Sequence, residues 1–270
     1  MIVLNEKNIF LENRQSSKGN QLKGCVDGSW YKADYLGYEG LAEYMVSGLL
    51  KKTSLESNEF IDYKTEKIQY KNTEFTGCIS ANFLKKGWQL ITLERLFQSY
   101  YGESLNRSLY RLPEARDRLQ FLVEQTVRIT GLEEFGKYMG KVLAVDTFFL
   151  NEDRHTHNLA VLLDEYGEYH YCPMFDHGGA LLSDTTLDYP MTGDVYALIK
   201  NAKPKTFCGN FDEQLDIAEE LYGQQIQFMF DDKEADRLLN EEAGYPQDIK
   251  ERVSTILRWQ KHRYQYLFQK

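Results

Sequence analysis

The stretch NEDRHTHN, residues 151–158, places two carboxylates, an arginine, two histidines and two asparagines within eight positions. Four of the chain's five histidines, His155, His157, His170 and His177, fall between positions 155 and 177. Two chemistries compete for such a cluster. Carboxylate and amide oxygens are hard donors suited to a Mg²⁺ ion that bridges phosphates. An H-x-H pair flanked by carboxylates instead suits Zn²⁺ or Mn²⁺ and an activated water. Taken singly, each Asp or Asn also serves simply to close a turn through local hydrogen bonds.

The residues immediately downstream of the loop favour the first. Segments 159–163 and 168–172 flank Asp164-Glu165-Tyr166-Gly167, a four-residue turn ending in glycine, and this pattern predicts a hairpin. With Leu163 opposite Glu168, Asn158 falls opposite Pro173, and Asp176 lies one short step beyond. Asp153, Asn158 and Asp176 are then expected to converge, Asp153 as the group that orients and deprotonates a hydroxyl, Asn158 and Asp176 as metal ligands. Protein kinases use this arrangement: a catalytic-loop Asp, four residues, an Asn, and a later D-F-G aspartate on the metal. Asp153-x-x-x-x-Asn158 has the spacing, and FDHG takes the D-F-G position with His177 in its middle. A lone D-x-x-x-x-N is a weak signal; loop, hairpin and DxG in series are a much more specific one.

Phosphoryl transfer also needs a phosphate cradle and a lysine held by a helix carboxylate. In SSKGNQLKG, Gly19 and Gly24 let backbone N–H groups approach phosphates closely. Lys32 follows on the predicted strand SWYK. Glu39 and Glu43 lie one helical turn apart on the next element, so either can reach Lys32; Glu43, further inside the helix, is preferred. The adenine is expected near Ser80–Lys85.

Local patterns predict the elements that must position these groups. The first 36 residues are strands and turns, with an Asp-Gly turn before SWYKADYL. A helix begins in GYEGLAEYMVSGLLKK, where Leu41, Tyr44, Met45 and Leu49 recur at helical spacing. Residues 59–84 carry two or three strands. Helices come next, one capped by Thr92, one running from Pro113 to a stop at Gly131, and others in LEEFGKYMGKVLAVDTFFLN, FDEQLDIAEELYG and PQDIKERVSTILRWQKHRYQYLF. The expected fold class is α+β, two-lobed and protein-kinase-like. A sheet-rich N-lobe spans 1–86, and a helical C-lobe with the catalytic loop and metal-binding hairpin spans 87–270.

Ser16-x-x-Gly-x-Gln-x-Lys23, NEDRHTHN and FDHGGALL in series resemble the HipA-like serine/threonine protein kinases, from Ser16 to about Leu182. That resemblance implies ATP and Mg²⁺ as cofactors. It implies Asp153 as catalytic base, His155 as the loop histidine, Asn158 and Asp176 as metal ligands, and Lys32 with Glu43 as the nucleotide-holding pair. The phosphate loop would be Ser16, Ser17, Lys18, Gly19, Asn20, Gln21 and Lys23. The family phosphorylates a serine in that loop. Ser16 stands at the position and Ser17 beside it, where close to two added negative charges would repel ATP. The larger HipA proteins carry an additional N-terminal subdomain, whereas only fifteen residues precede Ser16 here, so the resemblance is to short, single-unit members. It further implies a protein substrate, which in toxin members is an aminoacyl-tRNA synthetase, and an antitoxin partner.

Composition narrows the field. A formal net charge of −9 argues against general nucleic-acid binding, which rests on clustered Lys and Arg. Cys25, Cys78, Cys172 and Cys208 form no C-x-x-C pair and read as free thiols. Neither a secretory signal nor a membrane span is visible, so a cytoplasmic location is expected. Two rivals stay open. One is a metal-dependent hydrolase built on Asp153, His155, His157, His170 and Asp176, which leaves the glycine loop and Lys32 without a task. The other is a nucleotide-binding pseudokinase, whose usual mark, loss of the base or a metal ligand, is not seen.

Overall fold

The structure, a computed structural model, describes residues 1–9 and 21–268. In chain order the elements are β1 (Ile2–Leu4), β2 (Lys23–Val26), β3 (Ser29–Ala33), α1 (Glu39–Leu50), β4 (Tyr63–Tyr70) and β5 (Thr73–Ala81). Then come β6 (Gln89–Thr92), α2 (Leu93–Tyr101), α3 (Leu105–Leu109), α4 (Ala115–Thr130) and α5 (Phe135–Phe149). The rest are β7 (Ala160–Leu163), β8 (Tyr169–Tyr171), α6 (Val195–Asn201), α7 (Phe211–Tyr222), α8 (Asp232–Glu241) and α9 (Gln247–Arg263). The fold is α+β, as the sequence implies. Among the described residues no helix is long and apolar enough to cross a membrane.

The chain forms two compact units. One comprises Met1–Phe83, Asp176–Asn201 and Phe228–Lys270; the other comprises Leu84–Phe175 and Ala202–Gln227. The N-lobe and C-lobe division at 86/87 is a division of motifs along the chain, whereas the first unit also draws on residues far downstream.

In the first unit a five-stranded sheet has the order β1-β4-β5-β3-β2, parallel only where β1 meets β4. The Asp27-Gly28 turn joins β2 to β3, as expected. Helix α1 buries Leu41, Met45, Val46 and Leu49 against β4 and β5. It also touches β3 and α8, and α9 packs on α8. The sequence pattern passed over α8 because DKEADRLLNE is mostly charged; Asp231 caps it by accepting the Glu234 N–H.

In the second unit α5 is buried almost throughout and packs on α4 and α7. Thr92 caps α2 by accepting the Arg95 N–H at 3.3 Å. The hairpin β7–β8 forms, extended on its far side by β6, but its register differs by one residue from the expected one. Leu163 faces Tyr169, not Glu168. The loop has three residues rather than four. Asp164 pairs with Glu168, its Oδ1 accepts the N–H groups of Tyr166 and Glu168, and Gly167 turns the chain at φ 87°. A side-chain acceptor at the turn's first position thus takes the pairing that a fourth loop residue would have had.

All four cysteines are free; Cys78, Cys172 and Cys208 are buried and Cys25 is partly exposed. Burial pushes the Cys172 thiol up to about 12 and that of Cys208 up to about 11, so little nucleophilic thiolate exists near neutrality. In native protein at pH 8, a thiol reagent is expected to modify Cys25 alone within minutes. The remaining three react on denaturation, and mass mapping of the labelled peptides checks the order.

Candidate active site

Within the first unit, Lys32 sits in the middle of β3, paired across the sheet with Lys23 on one side and Cys78 on the other. Its ammonium donates to Glu43 Oε1 at 2.6 Å and to Asp176 Oδ1 at 2.8 Å. It lies 5.3 Å above the Tyr63 ring. Burial alone would push the Lys32 pKa down, yet the carboxylates of Asp176 and Glu43 outweigh it and hold it well above its ordinary value. A raised lysine pKa means that the cluster's stabilisation is whole below about pH 10.5 and is lost only above it. The ammonium therefore stays charged across the neutral range.

Glu43 is buried, and its second oxygen accepts the His177 N–H at 2.8 Å. Glu39 does something else. Its carboxylate accepts the N–H groups of Tyr35, Leu36 and Gly37 and so ties the entrance of α1. Asp34 adds to this by accepting from the Gly40 N–H at 2.6 Å, with Thr76 and Tyr245 hydroxyls donating to its other oxygen.

Asp176 takes a left-handed φ of 63°, and Leu181 and Leu182 follow at 56° and 57°. Such values are uncommon for large aliphatic side chains. Several contacts hold this backbone against α1. The Leu36 carbonyl accepts the N–H groups and hydroxyls of Thr185 and Thr186. Tyr38 donates its N–H to Ser183 O and its hydroxyl to Leu181 O. Gly37 is required here, because a Cβ would lie 1.9 Å from the Ser183 carbonyl oxygen. The segment after Asp176 and the start of α1 are thereby one fastened piece.

Within the second unit, the loop 151–158 is built around Arg154, which is only 2% exposed. Its guanidinium grips Asp146 with two nitrogens, Nε to Oδ2 at 2.8 Å and Nη2 to Oδ1 at 3.1 Å. The remaining Nη1 donates to the carbonyls of Asn158 at 3.1 Å and Phe175 at 2.6 Å. Arg154 thus ties both ends of the hairpin segment, and the residue after Phe175 is Asp176. Asn151 donates to Asp146 at 2.8 Å, and Thr206 donates to the Arg154 carbonyl at 2.6 Å. On the far side, Glu94 accepts from the Thr156 hydroxyl and the Asn106 N–H, each at 2.9 Å.

Asp153 and His155 share this loop, with His155 Nε2 4.0 Å from Asp153 Oδ1. His155 Nδ1 accepts the His157 N–H at 3.2 Å, so the ring braces the turn. Asn158 donates its amide nitrogen to the Asp153 carbonyl at 2.8 Å, which leaves the amide oxygen as the end it presents. His170 stacks on Trp88 at 4.5 Å and pairs with Asp164. Among the described residues no three His, Cys, Asp or Glu side chains gather as a metal site, so the ligand set of the hydrolase alternative does not form.

Of the expected phosphate loop, Ser16, Ser17, Lys18, Gly19 and Asn20 lie outside the described residues. Gln21 precedes β2, and Lys23 opens it. At the expected adenine position, Ser80 lies buried near the end of β5, while Lys85 lies 4.4 Å over the Trp88 ring. Within the first unit, Glu43 and Asp176 present two carboxylates to one ammonium, hard oxygens whose excess negative charge suits a divalent cation carrying phosphates. Within the second unit, the Asn158 amide offers another hard oxygen.

Two residues of this site escaped the sequence pattern, Asp146 and Arg154. The available signal was Asp146 itself, a single acid within the apolar run VLAVDTFF, since a buried carboxylate demands a partner.

The curled five-stranded sheet, the lysine–helix carboxylate pair and the hairpin-borne loop define a protein-kinase-like fold. The chain is similar in structure to the Helicobacter pylori proinflammatory kinase CtkA: TM-score 0.59, 16% identity, 97% of this chain and 94% of that one covered. It also matches a chain of the Shewanella oneidensis MR-1 toxin–antitoxin system of HipA, HipB and operator DNA. There the TM-score is 0.47 and the identity 12%, over 96% of this chain and 63% of that one. The fold assignment rests on the first. No protein-family model matches the sequence, and no curated protein sequence matches it.

Removing one partner of a buried ion pair leaves an uncompensated charge and costs about 3–5 kcal/mol. Arg154→Ala is expected to lose stability on that scale in urea unfolding, with Asp146→Ala comparable and the double variant far less than additive. Glu94 supplies a pH signature. Burial pushes its pKa up, but hydrogen bonds from Ser104, Asn106 and Thr156 prevail and hold it below its ordinary 4.5. Its contribution is therefore present above that value and lost as pH falls through the lowered pKa. Glu94→Gln should flatten the acid limb of the stability–pH curve below about pH 5 and leave the alkaline side unchanged.

Proposed function

We propose that the protein is an ATP- and Mg²⁺-dependent serine/threonine protein kinase of the HipA-like kind. The observation that carries this reading is Lys32, fixed between Glu43 at 2.6 Å and Asp176 at 2.8 Å within a kinase-like fold. A buried, permanently charged lysine with a helix carboxylate behind it is what a nucleotide's phosphates require.

Lys32 holds the phosphates beneath residues 16–24, and the adenine lies near Ser80–Lys85. Asp153 orients the protein hydroxyl and accepts its proton, braced by His155. The hydroxyl oxygen bonds to the γ-phosphorus as the bridge to the β-phosphate breaks and ADP departs. Asn158 and Asp176 would hold Mg²⁺, which would neutralise charge on the phosphates. The substrate is a protein. The family resemblance suggests an aminoacyl-tRNA synthetase, and an antitoxin partner suits it equally. Autophosphorylation at Ser16 or Ser17 would switch the enzyme off by repelling ATP.

Purified protein incubated with ATP and Mg²⁺, alone and with a cell lysate, should yield phosphoprotein detectable by intact mass and fragment mapping. Asp153→Asn is expected to lower the rate by at least about 10²-fold, the scale of a general base, while ATP affinity holds. Lys32→Met should weaken ATP binding itself. Added phosphate that persists in a Ser16→Ala/Ser17→Ala protein would remove those two as the modified site. Tight ATP binding with no transfer to any protein would make it a pseudokinase.

A further inference from the structure

Ser47 interrupts an apolar stretch of α1, with Met45, Val46, Leu49 and Leu50 around it, and like them it is wholly buried. Serine is a weak helix former, and a buried hydroxyl is costly unless a partner uses it. That partner is on β4. Ser47 Oγ accepts the Tyr63 N–H at 3.0 Å and donates to the Tyr44 carbonyl of its own helix at 3.3 Å. Ser47 follows Glu43 by four residues, so the two lie on one face of α1.

Tyr63 opens β4 and is only 4% exposed. A phenylalanine would fill the same space with no hydroxyl to satisfy, and a buried tyrosine hydroxyl generally needs a partner. Here that hydroxyl accepts the Asp176 N–H at 3.4 Å. The ring has a second contact, the Lys32 ammonium 5.3 Å from its centre, within the range at which a cation is drawn to an aromatic face.

Asp176 is therefore reached from α1 by two arms. Glu43 acts through Lys32 on the carboxylate, by bonds of 2.6 and 2.8 Å. Ser47 acts through Tyr63 on the backbone N–H. The second arm meets the chain at the left-handed φ of 63°, a conformation that few residues other than glycine adopt. A carboxylate held by a lysine at one oxygen can still pivot with its main chain, and the Tyr63 hydroxyl restrains that pivot. Direction matters for such a ligand, because Mg²⁺ demands near-ideal octahedral geometry.

We propose that Ser47 and Tyr63 are positioning residues for Asp176: the Tyr63 hydroxyl fixes its main chain, Ser47 fixes Tyr63, and together they aim the aspartate at a divalent cation. The cation's part rests on the kinase reading; the hold on Asp176 does not. Tyr63→Phe keeps the ring and removes the acceptor, whereas Tyr63→Leu removes both. In ¹⁵N-labelled protein without nucleotide, Tyr63→Phe should speed hydrogen exchange of the Asp176 amide at least tenfold, while the Ile68 and Cys78 amides of the sheet change less than threefold. Ser47→Ala, which leaves the Tyr63 side chain intact and carries the test should the Tyr63 variants fold poorly, should speed Asp176 at least threefold. With a nonhydrolysable ATP analogue, the Mg²⁺ concentration that gives half-maximal enhancement of binding should rise at least fivefold in Tyr63→Phe. Its metal-free Kd should stay within twofold, because the ring still faces Lys32; Tyr63→Leu should weaken metal-free binding at least threefold as well.

An Asp176 amide that exchanges no faster in Tyr63→Phe, or faster only in step with Ile68 and Cys78, would overturn the positioning role, whatever the protein does with ATP. Faster Asp176 exchange with an unchanged Mg²⁺ requirement would overturn the aiming of a metal ligand. Faster exchange in a protein that binds no analogue, with Mg²⁺ or without, would bear out the hold on Asp176 but refute the kinase reading and, with it, the part given to the cation.

Discussion

A guanidinium withdrawn from water has to spend its donors on protein, and Arg154 spends them on Asp146 and on two backbone carbonyls. The ion pair itself adds little net stability relative to an apolar pair of the same shape, because desolvation offsets the attraction. What it supplies is position. The carbonyls of Asn158 and Phe175 lie at the two ends of the β7–β8 segment, and a buried carbonyl without a donor is costly. The planar fork of arginine serves both while remaining locked on one carboxylate; the point charge of a lysine does not. That one side chain anchors the loop that carries Asp153, His155 and Asn158, and Asn151, Thr156 and Thr206 complete its support.

A parallel logic governs the first unit, with a cation again at the centre. Lys32 is charged because two carboxylates surround it, and those carboxylates tolerate burial because Lys32 and the His177 N–H are there. The fastening of residues 181–186 to the start of α1 makes Glu43 and Asp176 parts of one rigid piece. The left-handed backbone at Leu181 and Leu182 is the strain held by that fastening.

Much of this was legible in the residues. The Asp27-Gly28 turn, the Thr92 cap and the helix stop at Gly131 are local signals, and each appears where its chemistry places it. The spacing of Asp153, Asn158 and FDHG likewise marked the loop and its hairpin. Three features were not legible. The one-residue shift in the hairpin arises because Asp164 captures two N–H groups with its side chain, an outcome that strand patterning does not weigh. Helix α8 lacks an apolar stripe long enough to announce itself. Arg154 stood within the marked motif, but its partner lies eight residues earlier on α5, and spacing says nothing about where a buried side chain aims.

The discontinuity of the first unit bears on how the protein is made. Its α8, its α9 and the Tyr245 between them come from the last third of the chain, yet α8 packs on α1 and Tyr245 donates to the Asp34 carboxylate. A ribosome delivers residues in order, so the sheet and α1 emerge well before these helices exist. Until residue 245 has left the exit tunnel, Asp34 lacks one of its three donors and the outer flank of α1 is bare. Contacts of such long sequence separation form late and slowly. The nascent protein therefore completes the support of its lysine–carboxylate centre only once residue 245 has emerged.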